Sequence, residues 1–157
     1  MRKASRRKDP EWALEVFDRA PYITLSLTRP EGTPYGVPLS MARRDARTFY
    51  FHCAPEGEKL DCIRTSPIVA LSAVSRCSPR YEEEKNNFTE YYRSAMAVGR
   101  AEIVEDAAEK IQALRLICER FLPAYMARFD EAVARSLART AIVRITLTEP
   151  PVGKSKP

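Results

Sequence analysis

Histidine is nearly missing from this chain: His52 stands alone among 157 residues. A Ser-His-Asp hydrolase would have to rest on that one imidazole, and no Gly-x-Ser-x-Gly elbow is present to supply its nucleophile. Glycine is scarce too, at five residues, and neither a Walker loop nor a Gly-x-Gly-x-x-Gly fingerprint occurs. The four cysteines, Cys53, Cys62, Cys77 and Cys118, form no Cys-x-x-Cys pair. A zinc centre needs about four close-spaced ligands, so these are expected to be reduced and mostly buried thiols, and no structural metal is expected. No apolar run approaches the roughly 20 residues that span a bilayer. The basic start is followed by Asp9, Pro10 and Glu11 rather than by the apolar core of a signal peptide. A soluble, cytoplasmic protein with no membrane partner is expected.

What remains has an ordinary globular balance. Apolar residues make up 45% of the chain and charged residues 30%, and the length suits one domain without covalent staples. The formal charge of +5 suggests a nucleic-acid partner until its location is read. Arg2, Lys3, Arg6, Arg7 and Lys8 supply all of it, so residues 9–157 carry no net charge. The basicity is that of a short arm, expected to be disordered. Nucleic acid is therefore not an expected partner of the folded body. The organisation expected is a basic arm over 1–8, one domain over 9–149 and a Pro/Lys tail over 150–157.

Along the chain, Asp9 and Pro10 open a helix over 10–20 with Trp12, Ala13, Val16 and Ala20 on its apolar stripe. Ile23, Leu25 and Leu27 alternate as a strand. Residues 30–34 turn, and Tyr35–Arg43 returns as a second strand. Pro38 within it cannot donate to a ladder, which implies an edge, a bulge or a ligand. Thr48–Cys53 is a third strand, and a short helix covers 58–65. Pro67–Ser75 is a nearly continuous apolar strand, and the polar residues 76–87 read as a long loop. A strand bent near Gly99 covers 91–104. A helix over 107–121 presents Ala107, Ile111, Leu114, Cys118 and Phe121 on one face. Short helices fill 124–138, and Ala141–Leu147 is the last strand, with Ala141, Val143, Ile145 and Leu147 inward. The fold class is mainly β (α+β): a small six-stranded antiparallel barrel with peripheral helices.

Three constellations can carry chemistry. Where the strand 48–53 gives way to the helix 58–65, free amides at the helix start, the close backbone approach allowed by Gly57 and the charge of Lys59 suit a phosphate. His52, just before them, reads either as a strand histidine paired to backbone or as an imidazole beside a cofactor or substrate, able to move a proton near neutral pH. Pro34-Tyr35-Gly36-Val37-Pro38-Leu39 reads either as an edge strand or as backbone turned towards a flat ligand. Phe88 to Ser94 sets aromatics beside Arg93, which fits strand packing, or contact with nucleic acid or a planar cofactor.

Taken in order, Gly32-Thr33-Pro34-Tyr35-Gly36-Val37-Pro38-Leu39, then Tyr50-Phe51-His52 with Gly57-Glu58-Lys59, resembles the Nim-type (5-nitroimidazole-resistance-related) proteins of the pyridoxamine 5'-phosphate oxidase-like superfamily. The clear likeness covers roughly residues 10–122. The resemblance implies an FMN-binding split barrel, with FAD as the other flavin to consider, and a homodimer with flavin at its interface. It further implies an oxidoreductase that takes electrons from a nicotinamide donor and passes them to a small acceptor, a nitroaromatic among the candidates. A flavin carrier without turnover and a haem-binding barrel are the alternatives. By the same resemblance Gly57 and Lys59 hold the phosphate. Pro38, Leu39 and Ser40 run beside the ring, Phe51 and His52 line the site with His52 as the catalytic group, and Ser72 and Ser94 are weaker contacts. Two departures stand out. Asp45-Ala46-Arg47 replaces an Asp-Gly turn, and Ser40-Met41-Ala42 has no aromatic where relatives often carry one, which would widen the pocket or alter the substrate.

Overall fold

The computed structural model describes residues 3–156. Asp9 caps the first helix, α1 (Pro10–Arg19), by accepting from the Trp12 amide at 2.8 Å, and Pro10 occupies the first turn. The buried face of α1 holds Ala13, Leu14, Val16 and Phe17, with Phe17 edge-on to Phe49 at 5.3 Å. Leu14 and Phe17 extend the stripe that the sequence suggests through Ala13 and Val16.

The strands are β1 (Arg7–Lys8), β2 (Ile23–Thr28), β3 (Pro34–Leu39), β4 (Ala42–Arg43), β5 (Thr48–Cys53), β6 (Ile68–Glu82), β7 (Asn87–Ile103), β8 (Ala141–Leu147) and β9 (Val152–Lys156). They form one antiparallel sheet in the order β3-β2-β6-β7-β8-β5-β4, with β9 on β7 and β1 on β9. β3 and β4 lie at opposite ends of that order, yet only Ser40 and Met41 separate them. Three residue steps reach at most about 11 Å, so the sheet curls until its edges nearly meet. The result is an open, split barrel. Inside it pack Phe17, Ile23, Leu25, Phe49, Phe51, Leu71 and Ile145, each essentially inaccessible. Each such side chain contributes about 1.5–3 kcal/mol by leaving water.

The helices flank the barrel: α2 (Glu58–Thr65), α3 (Ala107–Phe121) and α4 (Phe129–Ser136). α3 covers the outer face at β4, β5 and β8. Its buried residues are Ala113, Leu114 and Ile117. The stripe expected through Ala107 and Ile111 is therefore rotated, and Ile111 remains exposed. Polar contacts fix that rotation. The Glu109 carboxylate accepts from Tyr50 (2.8 Å) and twice from Arg144 (2.8 and 2.9 Å), while Arg144 also reaches Glu102. At the other end Arg120 donates to the carbonyls of Met41, Phe17, Asp18 and Ala20 at 2.6–2.9 Å. One guanidinium thus closes the end of α1 and holds the β3–β4 junction, and burial pulls its pKa below the ordinary value.

Several expectations are corrected. The expected antiparallel barrel with peripheral helices is present, but among the described residues it is built from nine strands rather than six. The loop expected over 76–87 is a continuation of β6 and β7 into a ribbon, with a bulge between Val74 and Arg76. Alternation there is carried by polar and aromatic residues on a two-sided solvated ribbon, which hides it from a hydrophobic-pattern reading. The tail expected at 150–157 contains β9, with Trp12 lying against Gly153 so closely that a Cβ there would come within 2.4 Å of the indole. Of the arm expected to be disordered, residues 4–8 form a 3-10 turn and β1; Met1 and Arg2 lie outside the described residues. β9 recruits β1, a long-range pairing that local composition cannot reveal. Of the four free thiols only Cys62 is buried, and Cys77 sits exposed on the ribbon. Among the described residues, no group of three or more His, Cys, Asp or Glu is placed to hold a metal, and no helix is long and apolar enough to cross a membrane.

Candidate functional site

The candidate anion site lies where β5 gives way to α2. Gly57 adopts φ +129°, which side-chain-bearing residues rarely take, and no heavy atom lies within 4 Å of where its Cβ would stand. The helix's own bonding begins at Leu60 and Asp61, whose amides both donate to the Gly57 carbonyl at 2.9 and 3.3 Å. The amides of Glu58 and Lys59 precede that first turn, as the leading amides of any helix do. Lys59 is half-buried, and its charge reaches the Cys53 thiol, whose pKa burial nonetheless pushes up. Glu58 pairs with Arg29 at 2.5 Å, and Arg29 also donates to the Pro34 carbonyl and lies 4.9 Å from the Tyr35 ring centre. The β2–β3 turn is thus tied to the cradle. Arg29 is a cation at this site that sequence reasoning misses, because it lies 29 residues before its partner.

The seam between β3 and β5 gathers the next group. β3 pairs only with β2, so Pro38 lies on an edge strand, as its missing amide requires. β4 pairs with β5 through Ala42–Tyr50 and Arg43–Phe49. Carried two residues further, that register sets Ser40 opposite His52. His52 is exposed on the outer face of the sheet and pairs across the ladder with Ile142. Phe51 points the other way, into the core at 0% exposure, and Leu39 also packs against the core. Phe51 and Leu39 therefore have only backbone to offer a ligand on the outer face.

A row across the sheet links Pro38, Thr24, Ser72, Met96 and Val152 by successive pairings. Residues two apart on a strand share its face, which adds Ser26, Ala70, Ser94 and Val98. Here the outer face carries a groove of about 630 Å³, lined among others by Ser26, Ala70, Ser72, Met96 and Val98, with Arg7 and Lys154 at its rim. Its floor is largely apolar with two hydroxyls. Ser94 lies on the same face, but its hydroxyl donates to the Lys154 carbonyl at 3.4 Å. Ile68, Val74 and Met96 are about half exposed. Neither His52, Gly57 nor Lys59 lines this groove. The candidate residues thus fall into two groups: the cradle with the seam, and the groove with Ser72.

The model of the pyridoxamine 5'-phosphate oxidase family matches residues 9–152 of the chain. No curated protein matches the sequence. Among solved structures, a candidate 5-nitroimidazole antibiotic resistance protein from Bacteroides thetaiotaomicron is 22% identical with a TM-score of 0.77, over 94% of this chain and 84% of that one. A flavocytochrome from Azotobacter vinelandii is 21% identical with a TM-score of 0.84, over 100% and 72%. An FAD- and haem-binding protein from Mycobacterium smegmatis is 20% identical with a TM-score of 0.82, over 96% and 73%. At these identities the likeness establishes the split-barrel fold.

Proposed function

Since this chain belongs to the pyridoxamine 5'-phosphate oxidase family, we propose that it is an FMN-dependent oxidoreductase that works as a homodimer. The observation that carries this reading is the start of α2, where a positive-φ glycine with open space at its Cβ position is followed by two leading amides and the half-buried Lys59. That donor set suits a phosphate monoester. The groove supplies what a planar ring system needs: an apolar floor, two hydroxyls and enough volume. Cradle and groove do not share a lining residue within one chain, which favours a site completed by two chains. The half-exposed Ile68, Val74 and Met96 supply an apolar surface for the second copy.

When bound, the flavin supplies the electron-transfer chemistry, with a nicotinamide donor and a small acceptor such as a nitroaromatic. The chain's own part is binding, orientation and proton supply. Lys59 and the amides of residues 58 and 59 hold the phosphate. The edge strand from Pro38 to Ser40 offers backbone along the ring. His52 holds or gives a proton at its outward-facing imidazole. The absence of an aromatic at Ser40-Met41-Ala42 leaves room beside His52 for the acceptor.

The test is an equilibrium titration with FMN. Lys59→Ala is expected to weaken binding by about 1–3 kcal/mol, the worth of a charge-assisted phosphate contact. His52→Ala is expected to keep the flavin and lose turnover. Unchanged FMN affinity in Lys59→Ala removes the cradle assignment. FAD binding stronger than FMN binding would name the other flavin. A second reading rests on His52 being the single histidine and facing outward: a haem iron bound there. A Soret band in place of a flavin spectrum would select it.

A further inference from the structure

We propose that the β6–β7 ribbon of one copy closes over the groove of a second copy, so that its aromatic tip roofs the neighbour's site; this rests on the dimeric flavin reading above. β7 pairs with β9 only as far as Tyr92, so residues 87–91 and 78–82 project as two strands alone, about 17 Å at 3.3 Å per residue. An isolated two-stranded ribbon is marginal in water. This one ends in an aromatic pair, Tyr81 and Phe88, with ring centres 4.8 Å apart, and Phe88 is 85% exposed. Aromatics standing this far into solvent are the usual anchors of an interface.

Geometry and charge both select a second copy of this chain as the occupant. Along β7, Phe88, Glu90, Tyr92, Ser94 and Met96 share one face by alternation, and the bulge in this ladder lies on β6. The aromatic tip and the groove floor therefore belong to one continuous surface. Residues 88 and 96 are equidistant from Tyr92. A two-fold axis crossing the sheet beside Tyr92 sets Phe88 of each copy over Met96 of the other, the self-complementary arrangement of an isologous dimer. Within one chain the same two residues are about 26 Å apart. Glu90 stands exposed on the same face of the ribbon, and the groove rim carries Arg7 and Lys154 against one lining carboxylate, Glu149. Among the described residues none of Glu90, Arg7 and Lys154 forms an ion pair. The same rotation that seats the aromatics sets Glu90 of each copy over the row of Ser94, Lys154 and Arg7 in the other.

The test places the photo-crosslinking residue p-benzoylphenylalanine at position 88 of the full chain. Illumination is followed by peptide mapping, with sedimentation of the same sample. The expected result is a dimer in which residue 88 joins peptides of the other chain around Met96, Ala70 or Val152. A dimer that cross-links elsewhere or not at all overturns the ribbon proposal and leaves the flavin reading standing. A monomer overturns both. A cross-linked dimer that binds no FMN supports the ribbon and removes the flavin reading. With FMN as probe, Tyr81→Ser/Phe88→Ser is expected to lose about tenfold in affinity while remaining dimeric. Unchanged affinity shows that the tip does not roof the site.

Discussion

Two stretches of the same outer sheet face meet opposite fates. Over Tyr50 and β8 the face is closed by α3, with His52 left exposed at the end of β5, and the polar groups beneath the helix are spent on the fold: Tyr50, Glu109 and Arg144 satisfy one another, and Arg120 closes the junction with four carbonyls. Over β2, β6 and β7 the face is open, and Ser26, Ser72, Met96 and Val98 line a groove. One half uses its chemistry within the chain; the other leaves it free for something the chain does not contain. The contrast separates substitutions that should unfold the protein from those that should change only what it holds.

The largest effect is expected at the closed half. Arg120→Ala strands four carbonyls at the α1 end and the β3–β4 junction, and should cost about 3 kcal/mol in urea unfolding. A loss under about 1 kcal/mol would show that the clamp is ornamental. Gly153→Val comes next. Its side chain collides with Trp12, so β9 and β1 should detach for about 2 kcal/mol, read as lost hydrogen-exchange protection at residues 92–96. Protection retained there would return the C-terminus to a tail.

Glu109→Gln should cost about 1–2 kcal/mol and flatten the pH dependence of stability. Burial pushes Glu109 up, but the hydrogen bonds from Tyr50 and Arg144 outweigh it and leave the carboxyl below its ordinary value. Its contribution is therefore present above the ordinary glutamate range and fades as pH falls below it. Burial, then the Glu109 carboxylate, pushes Tyr50 up to about 12. Its contribution is complete below pH 10 and is lost as pH rises towards 12. Denaturation midpoints across pH should show both edges in the wild type, and in Glu109→Gln the acid edge should weaken. The smallest effect on stability is expected at the open half: Met96→Lys should change unfolding by less than about 0.5 kcal/mol and yet abolish self-association in sedimentation.

Much of the barrel is legible in the sequence, because alternation exposes β2 and β8, aromatic strand formers expose β5, and clean caps expose α1 and α3. Pro38 announces an edge strand, and Gly57 announces the positive-φ residue before α2, since each is a local constraint on backbone. What stays hidden depends on partners distant in the chain. Arg29 at the end of β2 reaches Glu58 at the start of α2, β9 finds β7 and β1, and the ribbon alternates on two solvated faces. Phe51 illustrates the limit: adjacency to His52 suggests a shared site, whereas strand alternation sends the two side chains to opposite faces.

The most direct measurement is sedimentation velocity of the purified protein incubated with FMN, followed through the flavin's visible absorbance. If two chains complete each site, the flavin boundary travels at twice the chain mass of 17.8 kDa, and it disappears in Lys59→Ala at FMN concentrations that still load the wild type. Flavin that stays behind the protein, or that moves with a single chain, contradicts the account.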